Sequence, residues 1–273
     1  LMNHKNIALI LATGGTPMVR AAHSTGKPAY GVGPGNVPVY VDRSADIEKA
    51  ARYIVASKSF DCSTICATEQ AVVADRPIAQ QLRELMIKEG AYFTTEAQSE
   101  ILRHLLFNPD GSMITTTVGK PAEYLASLAG IQVPPGTRVL VTPLKRVGKE
   151  EPLSREKLTT VLGWYEEEGW EAGCERCIEL IQFGGRGHSL VIHATDEKVI
   201  MEFGLEKPVF RISVNTMSTL GAIGLTTGVY PSLTLGAGGV GGSITGDNIT
   251  TYHLFNVKRL AYELTPPPAA ALL

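Results

Sequence analysis

One stretch decides how this chain folds: Ser59-Phe60-Asp61-Cys62-Ser63-Thr64-Ile65-Cys66-Ala67-Thr68-Glu69-Gln70. A helical pattern over residues 45–58 precedes it, with its apolar residues on one face and Ser44 as the expected N-cap. An apolar run at 71–74 follows and predicts a short buried strand. Cys62 and Cys66 are therefore expected on a helix-to-strand connection, where a nucleophilic thiolate would be fixed and partly exposed. The alternative is that both cysteines are small core residues.

The composition is that of an ordinary globular protein. The chain has 273 residues, of which 44% are hydrophobic and 19% charged, and its formal net charge is −2. This balance gives no electrostatic reason to expect a nucleic acid or an anionic membrane as partner. Four cysteines are too few for a disulfide scaffold, and a reactive thiol favours a reducing compartment. With no signal-peptide pattern and no apolar run of membrane-spanning length, we expect a cytoplasmic location.

Near the start of the chain, an apolar run at 7–12 predicts a strand buried on both faces of a parallel sheet. Thr13, Gly14 and Gly15 follow it and lead into a helical segment. A strand, a glycine-rich turn and a helix together offer backbone N–H groups to an anion. The full G-x-G-x-x-G pattern is missing, so an ordinary strand-to-helix turn remains an open alternative.

Three sequence segments carry a resemblance to a known family. They are the glycine-rich stretch 31–42, the residues 45–47, and the run from Phe60 through Ile65-Cys66-Ala67 to Gln70. Together they closely resemble the CoA-acylating aldehyde dehydrogenases, including the ethanolamine- and propanediol-utilisation enzymes and the aldehyde half of aldehyde–alcohol dehydrogenases. The resemblance covers residues 1 to about 262. It implies that a short-chain aldehyde, NAD and CoA react to give acyl-CoA, by way of a thioester on the enzyme.

The resemblance also assigns Cys66, the turn at 13–15 and Glu151 to the site. Cys66 takes the nucleophile position of the Ile-Cys-Ala motif, with Cys62 as the next candidate. Thr13, Gly14 and Gly15 are expected beside the cofactor. Glu151, in a Glu-Pro-Leu-Ser motif, is expected to reach the nicotinamide ribose. His188 follows a glycine-rich turn and is a candidate for the substrate or CoA channel, although a structural histidine would fit equally well.

One departure from the hydrolytic aldehyde dehydrogenases is informative. Those enzymes place a water-activating glutamate in the corresponding Glu-Leu-Gly-Gly stretch, at the position that Val32 occupies here, 34 residues before Cys66. Without a general base, a thioester reacts slowly with water, whereas a thiol acceptor has a thiolate fraction available near neutral pH. The sequence thus favours acyl transfer to CoA over release of a free acid.

The expected fold is α/β: an aldehyde dehydrogenase catalytic domain built on an open twisted sheet flanked by helices. The predicted organisation is a remnant of a dinucleotide-binding domain at 1–33, a catalytic domain at 34–246, a C-terminal strand at 247–264 and a disordered tail at 265–273. The strand implies a homodimer or homotetramer formed by strand addition. Because the chain begins in mid-pattern, we also expect it to be the C-terminal part of a longer polypeptide.

Several alternatives remain. An acyl-phosphate reductase of the same fold also lacks the glutamate, a hydrolytic enzyme is opposed by Val32, and the chain as given could be an inactive piece without a full cofactor site. Cys174 and Cys177 form a C-x-x-C pair, but no second pair follows at zinc-finger spacing, so we expect no metal site. Packaging in a bacterial microcompartment is a further implication of the resemblance.

Overall fold

In the computed structural model, which describes residues 1–268 and 270, nine strands alternate with eight helices. The strands are β1 Ile10–Thr13, β2 Ala29–Val32, β3 Val37–Val41, β4 Glu69–Asp75, β5 Ala91–Phe93, β6 Val139–Pro143, β7 Val161–Glu167, β8 Leu190–His193 and β9 Ile212–Val214. The helices are α1 Thr16–His23, α2 Ile47–Ser59, α3 Arg76–Lys88, α4 Glu96–Leu106, α5 Ala122–Leu128, α6 Gly169–Phe183, α7 Glu197–Glu206 and α8 Ser218–Ala222.

Seven of the strands form one parallel sheet in the order β5-β6-β7-β4-β3-β8-β9. The central strands β3 and β4 are buried along their whole length. One face of the sheet packs against α2 and α3, and the other packs against α4 to α7. Burial on both faces explains the continuous apolar runs of these strands. The expected α/β fold with an open sheet flanked by helices is confirmed.

The strands within residues 1–32 do not join the seven-stranded sheet. β1 and β2 form a separate two-stranded parallel sheet, and α1 lies between them in the chain. Burial alternates along β1, and Leu11 is 48% exposed, so the prediction of a strand buried on both faces is wrong. Within residues 1–268 and 270, β1 has one neighbouring strand, β2, and one packed helix, α1, so Leu11 and Thr13 stay exposed. The assignment of this unit to a dinucleotide-binding domain stays a prediction.

The predicted helix before the cysteines is α2, and its cap differs from the sequence expectation. Asp46, rather than Ser44, caps α2, because its side chain accepts a hydrogen bond from the amide of Lys49 at 3.0 Å. The Ser44 hydroxyl oxygen instead accepts from the amide of Thr195, just after β8. The Ser44 contact ties the start of α2 to the segment that follows β8.

The C-terminal segment shows no strand within this chain. Residues 251–254 form a 3₁₀ turn, and residues 255–263 lie exposed without strand pairing. A β-strand needs a neighbour to satisfy its backbone groups, and the single chain provides none here. Pairing of 247–264 with another subunit therefore stays a prediction. Of the predicted disordered tail 265–273, residues 265–268 are exposed, while 269 and 271–273 lie outside the described residues.

Candidate active site

Cys66 lies in the connection between α2 and β4, where the sequence placed it. A 3₁₀ turn at Phe60–Ser63 begins this connection, and three successive residues in it, Asp61, Cys62 and Ser63, have left-handed φ values of 48°, 47° and 66°. Such values are unfavourable for residues other than glycine and persist only where neighbours hold the backbone. One neighbour is the buried Lys58, whose Nζ donates to Ser63 Oγ at 2.9 Å.

The same lysine holds the far end of the connection. Lys58 Nζ also donates to Gln70 Oε1 at 3.2 Å, and that oxygen accepts a second bond from the amide of Lys157 at 3.1 Å. Lys58 is fully buried. The two ends of the cysteine loop are therefore tied to α2 by one side chain, and Cys66 lies between the tied points.

His188 lies directly against the candidate nucleophile. Its Nε2 is 3.2 Å from Cys66 Sγ, and its Nδ1 is 3.1 Å from the hydroxyl of Ser189. His188 is buried and ends the glycine-rich turn before β8, while β8 is the sheet neighbour of β3. The expectation that His188 faces the active site was made from a glycine-rich turn alone, and the structure places its ring on the thiol.

The surroundings keep both groups neutral. Burial, together with the nearby Glu156 carboxylate, raises the pKa of the Cys66 thiol to about 12, and Arg211 opposes both. Burial also lowers the pKa of His188 to about 3, and the positive charge of Arg211 acts in the same direction. At neutral pH the resting pair is thus a thiol beside a neutral imidazole, which is the form of histidine that accepts a proton.

Glu156 is a site residue that the sequence reasoning missed. Its Oε1 accepts a 2.8 Å hydrogen bond from the amide of Gly35, and burial raises its pKa to about 7. It follows the Glu-Pro-Leu-Ser motif by two residues, so the signal was a second carboxylate close to the one that was chosen.

Glu151 has other partners. Both of its carboxylate oxygens accept hydrogen bonds from Arg103, at 2.8–3.2 Å, and one of them also accepts from the amide of Leu153. These contacts fix the 3₁₀ turn Pro152–Ser154 to α4. These partners of Glu151 do not include Cys66 or His188. The expected role of Glu151 at a nicotinamide ribose stays a prediction.

The glycine-rich turn after β1 approaches the site through another loop. Thr13 Oγ1 donates to Thr234 Oγ1 at 3.3 Å, and the next residue, Leu235, belongs to the apolar cluster that packs on Cys66. Gly14 donates its amide to the carbonyl of Val32, whose side chain is buried. Gly15 begins α1, whose first turn has no side-chain cap. Pro17 has no N–H, and the amides of Met18 and Val19 donate to the carbonyl of Gly15, so the amides of Gly15 and Thr16 are what this end offers an anion.

No protein-family model matches the chain. It is 43% identical over 269 residues to the aldehyde-alcohol dehydrogenase of Streptococcus pneumoniae, covering 95% of this chain and 30% of that protein. Its fold matches the crystal structure of an acetylating aldehyde dehydrogenase from Geobacillus thermoglucosidasius, with a TM-score of 0.95 and 47% identity over 98% of this chain and 59% of that one.

The chain is a homologue of the acylating aldehyde dehydrogenases. A third relative, the propionaldehyde dehydrogenase of Rhodopseudomonas palustris, was crystallised with bound CoA and an acylated cysteine. It matches with a TM-score of 0.82 and 30% identity over 91% of this chain and 54% of that one. The chain thus spans less than two thirds of the length of each of these aldehyde dehydrogenases.

The remaining cysteines of this aldehyde dehydrogenase homologue lie apart from the thiol–imidazole contact. Cys62 lies within the left-handed turn and is partly exposed, whereas Cys174 and Cys177 are buried on α6. Lys207 Nζ contacts Cys174 Sγ. Among residues 1–268 and 270, no cluster of three or more histidine, cysteine or acidic side chains is arranged to hold a metal. No helix in that part of the chain is both long and apolar enough to span a bilayer.

Proposed function

We propose that the protein oxidises a short-chain aldehyde to an acyl-CoA, with Cys66 as nucleophile and NAD as hydride acceptor. The observation that carries this proposal is the 3.2 Å contact between Cys66 Sγ and His188 Nε2. A half-buried, neutral thiol needs a base when it attacks a carbonyl carbon, and a neutral imidazole at hydrogen-bond distance can supply one.

The proposed chemistry begins with proton transfer from Cys66 to His188 as Sγ bonds to the aldehyde carbon. The new oxyanion is stabilised by hydrogen-bond donors of the loop. Loss of a hydride from that carbon leaves an acyl thioester on Cys66. The thiolate of CoA then attacks the acyl carbon, the Cys66–acyl bond breaks, and the Cys66 sulfur regains a proton through His188.

The residues expected to hold NAD fit an anionic ligand. Gly15 begins α1 without a side-chain cap, and Thr13 and Gly14 link this turn to the loop that packs on Cys66. When bound, NAD supplies the hydride acceptor. The protein's part is to hold the thiol, the base and the turn in a fixed relation.

A hydrolytic reaction is the second candidate, and the observation that favours it is Glu156. Val32 is buried and carries no carboxylate, but the Glu156 carboxylate lies near the thiol and has a pKa of about 7. A carboxylate with this pKa could activate water in the same role that the missing glutamate plays in hydrolytic relatives.

The test is NADH formation from acetaldehyde or propionaldehyde, with and without CoA, for wild type, Cys66→Ala and the matched control Cys62→Ala. We expect turnover to require CoA, to vanish in Cys66→Ala and to persist in Cys62→Ala. Free acid formed at the same rate without CoA would establish the hydrolytic reaction. Loss of turnover in Cys62→Ala alone would move the nucleophile to Cys62.

We also propose that the protein forms a homodimer or homotetramer in the cytoplasm or within a bacterial microcompartment. In support, residues 255–262 form neither helix nor strand and are exposed, and apolar side chains such as Phe255, Leu260 and Tyr262 remain uncovered. Light scattering of the protein before and after removal of residues 255–273 tests this; an unchanged mass would contradict it.

A further inference from the structure

Arg211 is a buried cation whose described partners are all neutral. It immediately precedes β9 and is 5% exposed. Its Nε donates to Asn248 Oδ1 at 2.7 Å, and its Nη1 donates to the carbonyl of His188 at 2.9 Å and to Ser189 Oγ at 3.4 Å. Its Nη2 donates to the carbonyls of Gly236 and Gly246, at 3.1 and 2.9 Å. All five N–H groups of the guanidinium are thereby used.

This use of the five donors has two consequences. The side chain has no donor left for a substrate anion, so Arg211 does not act by binding substrate. It does join the backbone of His188 to the loops at Gly236 and Gly246. A buried charge without a counter-ion is costly, and a neutral side chain would have satisfied carbonyl oxygens at lower cost in desolvation.

The position of the Arg211 charge, beside His188, indicates what it does. The titratable and charged groups around His188 are Cys66 against its Nε2, Arg211 against its carbonyl, Glu156 near the thiol and Asp247 near Arg211. Burial lowers the pKa of Arg211 to about 10, so it stays positively charged at neutral pH. A fixed positive charge beside an imidazole opposes its protonation, and it favours a neighbouring thiolate.

We infer that Arg211 is a positioning residue of the Cys66–His188 pair: its guanidinium fixes the backbone of His188, and its charge opposes protonation of the resting imidazole and favours the Cys66 thiolate. The inference deepens the proposed function and rests on it for the catalytic meaning of the pair. A purely structural arginine would hold the same loops without influencing the protonation of His188.

The experiment follows the imidazole signals of His188 by NMR during a pH titration, with the signals assigned by comparison with His188→Asn. In wild type we expect His188 to remain neutral down to acidic pH. In Arg211→Met the pKa of His188 should rise by about one unit or more, because the like charge is gone. In Arg211→Lys, which keeps the charge but offers fewer donors, the pKa should stay near the wild-type value.

A second variant covers the case in which Arg211→Met fails to fold, as judged by circular dichroism. Arg211→Gln removes the charge but keeps two N–H donors for the carbonyl oxygens, so it should also raise the pKa of His188. Equal values in wild type, Arg211→Met and Arg211→Gln would overturn the inference. So would an Arg211→Lys protein that shifts as far as Arg211→Met, because the charge would then not be responsible.

These measurements need neither aldehyde nor CoA, so their outcome is separate from that of the proposed function. CoA-dependent turnover with an unmoved His188 pKa removes the role of Arg211 alone. A shifted pKa in a protein that never forms acyl-CoA leaves the electrostatic role in place and removes the proposed reaction. Where CoA-dependent turnover and the shift in the His188 pKa are both observed, kcat of Arg211→Met should fall towards acidic pH more steeply than kcat of Arg211→Lys.

Discussion

The backbone amide of Gly35 donates a 2.8 Å hydrogen bond to the carboxylate of Glu156, a residue 121 positions further along the chain. A Cβ atom at Gly35 would lie 2.3 Å from the carbonyl oxygen of Cys66 and 3.1 Å from ring atoms of His188. Gly35 therefore lies where the nucleophile, the imidazole and the carboxylate meet. The glycine is needed because no side chain fits between these groups.

Gly35→Ala should disrupt the site directly. The new methyl group overlaps a backbone oxygen of the cysteine loop, so either that loop or the imidazole must move. Displacements of about 1 Å can cost on the order of 100-fold in rate, and we expect a loss of that size in CoA-dependent NADH formation. Gly33→Ala is the matched control, because a Cβ there meets nothing within 4 Å. Equal activity of the two variants would show that the loop adapts.

Glu156→Gln should make Cys66 more reactive. The amide oxygen of glutamine can still accept from Gly35, but the negative charge that raises the pKa of the thiol is removed. A lower pKa means more thiolate at neutral pH, about tenfold more for each pKa unit. The measurement is the rate of Cys66 alkylation by iodoacetamide, located by mass spectrometry. Glu151→Gln is the control, because the charge that it removes is paired with Arg103. Cys66 in this variant should be alkylated at the wild-type rate. A slower rate in Glu156→Gln would contradict the expectation.

The pH dependence of alkylation should be that of a thiol that forms no ion pair with histidine. With a Cys66 pKa of about 12 and a His188 pKa of about 3, the resting protein holds no thiolate–imidazolium pair between these values. Thiolate is formed only as pH rises towards the thiol pKa. The alkylation rate should therefore rise with every pH unit from pH 6 to 9, by about tenfold above pH 8 and by less near pH 7, where ionisation of Glu156 raises the thiol pKa. A rate that is level below pH 7 would reveal a preformed ion pair instead.

Features that depend on residues close together along the chain could be predicted from the sequence. The apolar face of α2 and the continuous run of β4 delimit the connection that carries Cys66, so its place between a helix and a strand could be predicted. A glycine-rich stretch such as the one before β3 also allows the backbone to pass close to another segment. Gly35 makes that approach, to Cys66 and His188.

Features that depend on distant residues were beyond the sequence. The contact of His188 with Cys66 follows from β8 lying next to β3 in the sheet, and no local pattern contains that order. For the same reason, the sequence does not show which of the carboxylates of Glu151 and Glu156 lies near the thiol. Glu151 and Glu156 flank one short turn, and only the fold shows that the first faces Arg103 and the second faces Gly35.

Lys58→Met should loosen the cysteine loop. Methionine fills a similar volume but leaves Ser63 Oγ and Gln70 Oε1 without the Nζ donor. Each buried acceptor left without this partner costs about 1–3 kcal/mol, although Gln70 Oε1 keeps its bond from the Lys157 amide. We expect the free energy of unfolding in urea to fall by about 2–4 kcal/mol. The left-handed residues 61–63 should relax, which would change the alkylation rate of Cys66.

Ser63→Ala is the matched control, since Lys58 keeps its bond to Gln70 and the loop loses one hydroxyl. The free energy of unfolding of this variant should fall by about 1 kcal/mol. The difference between the two variants measures what the second attachment contributes. If Lys58→Met is as stable as wild type and its Cys66 reacts at the wild-type rate, then the strained turn is held by its own packing. The buried lysine would then have no part in placing the nucleophile.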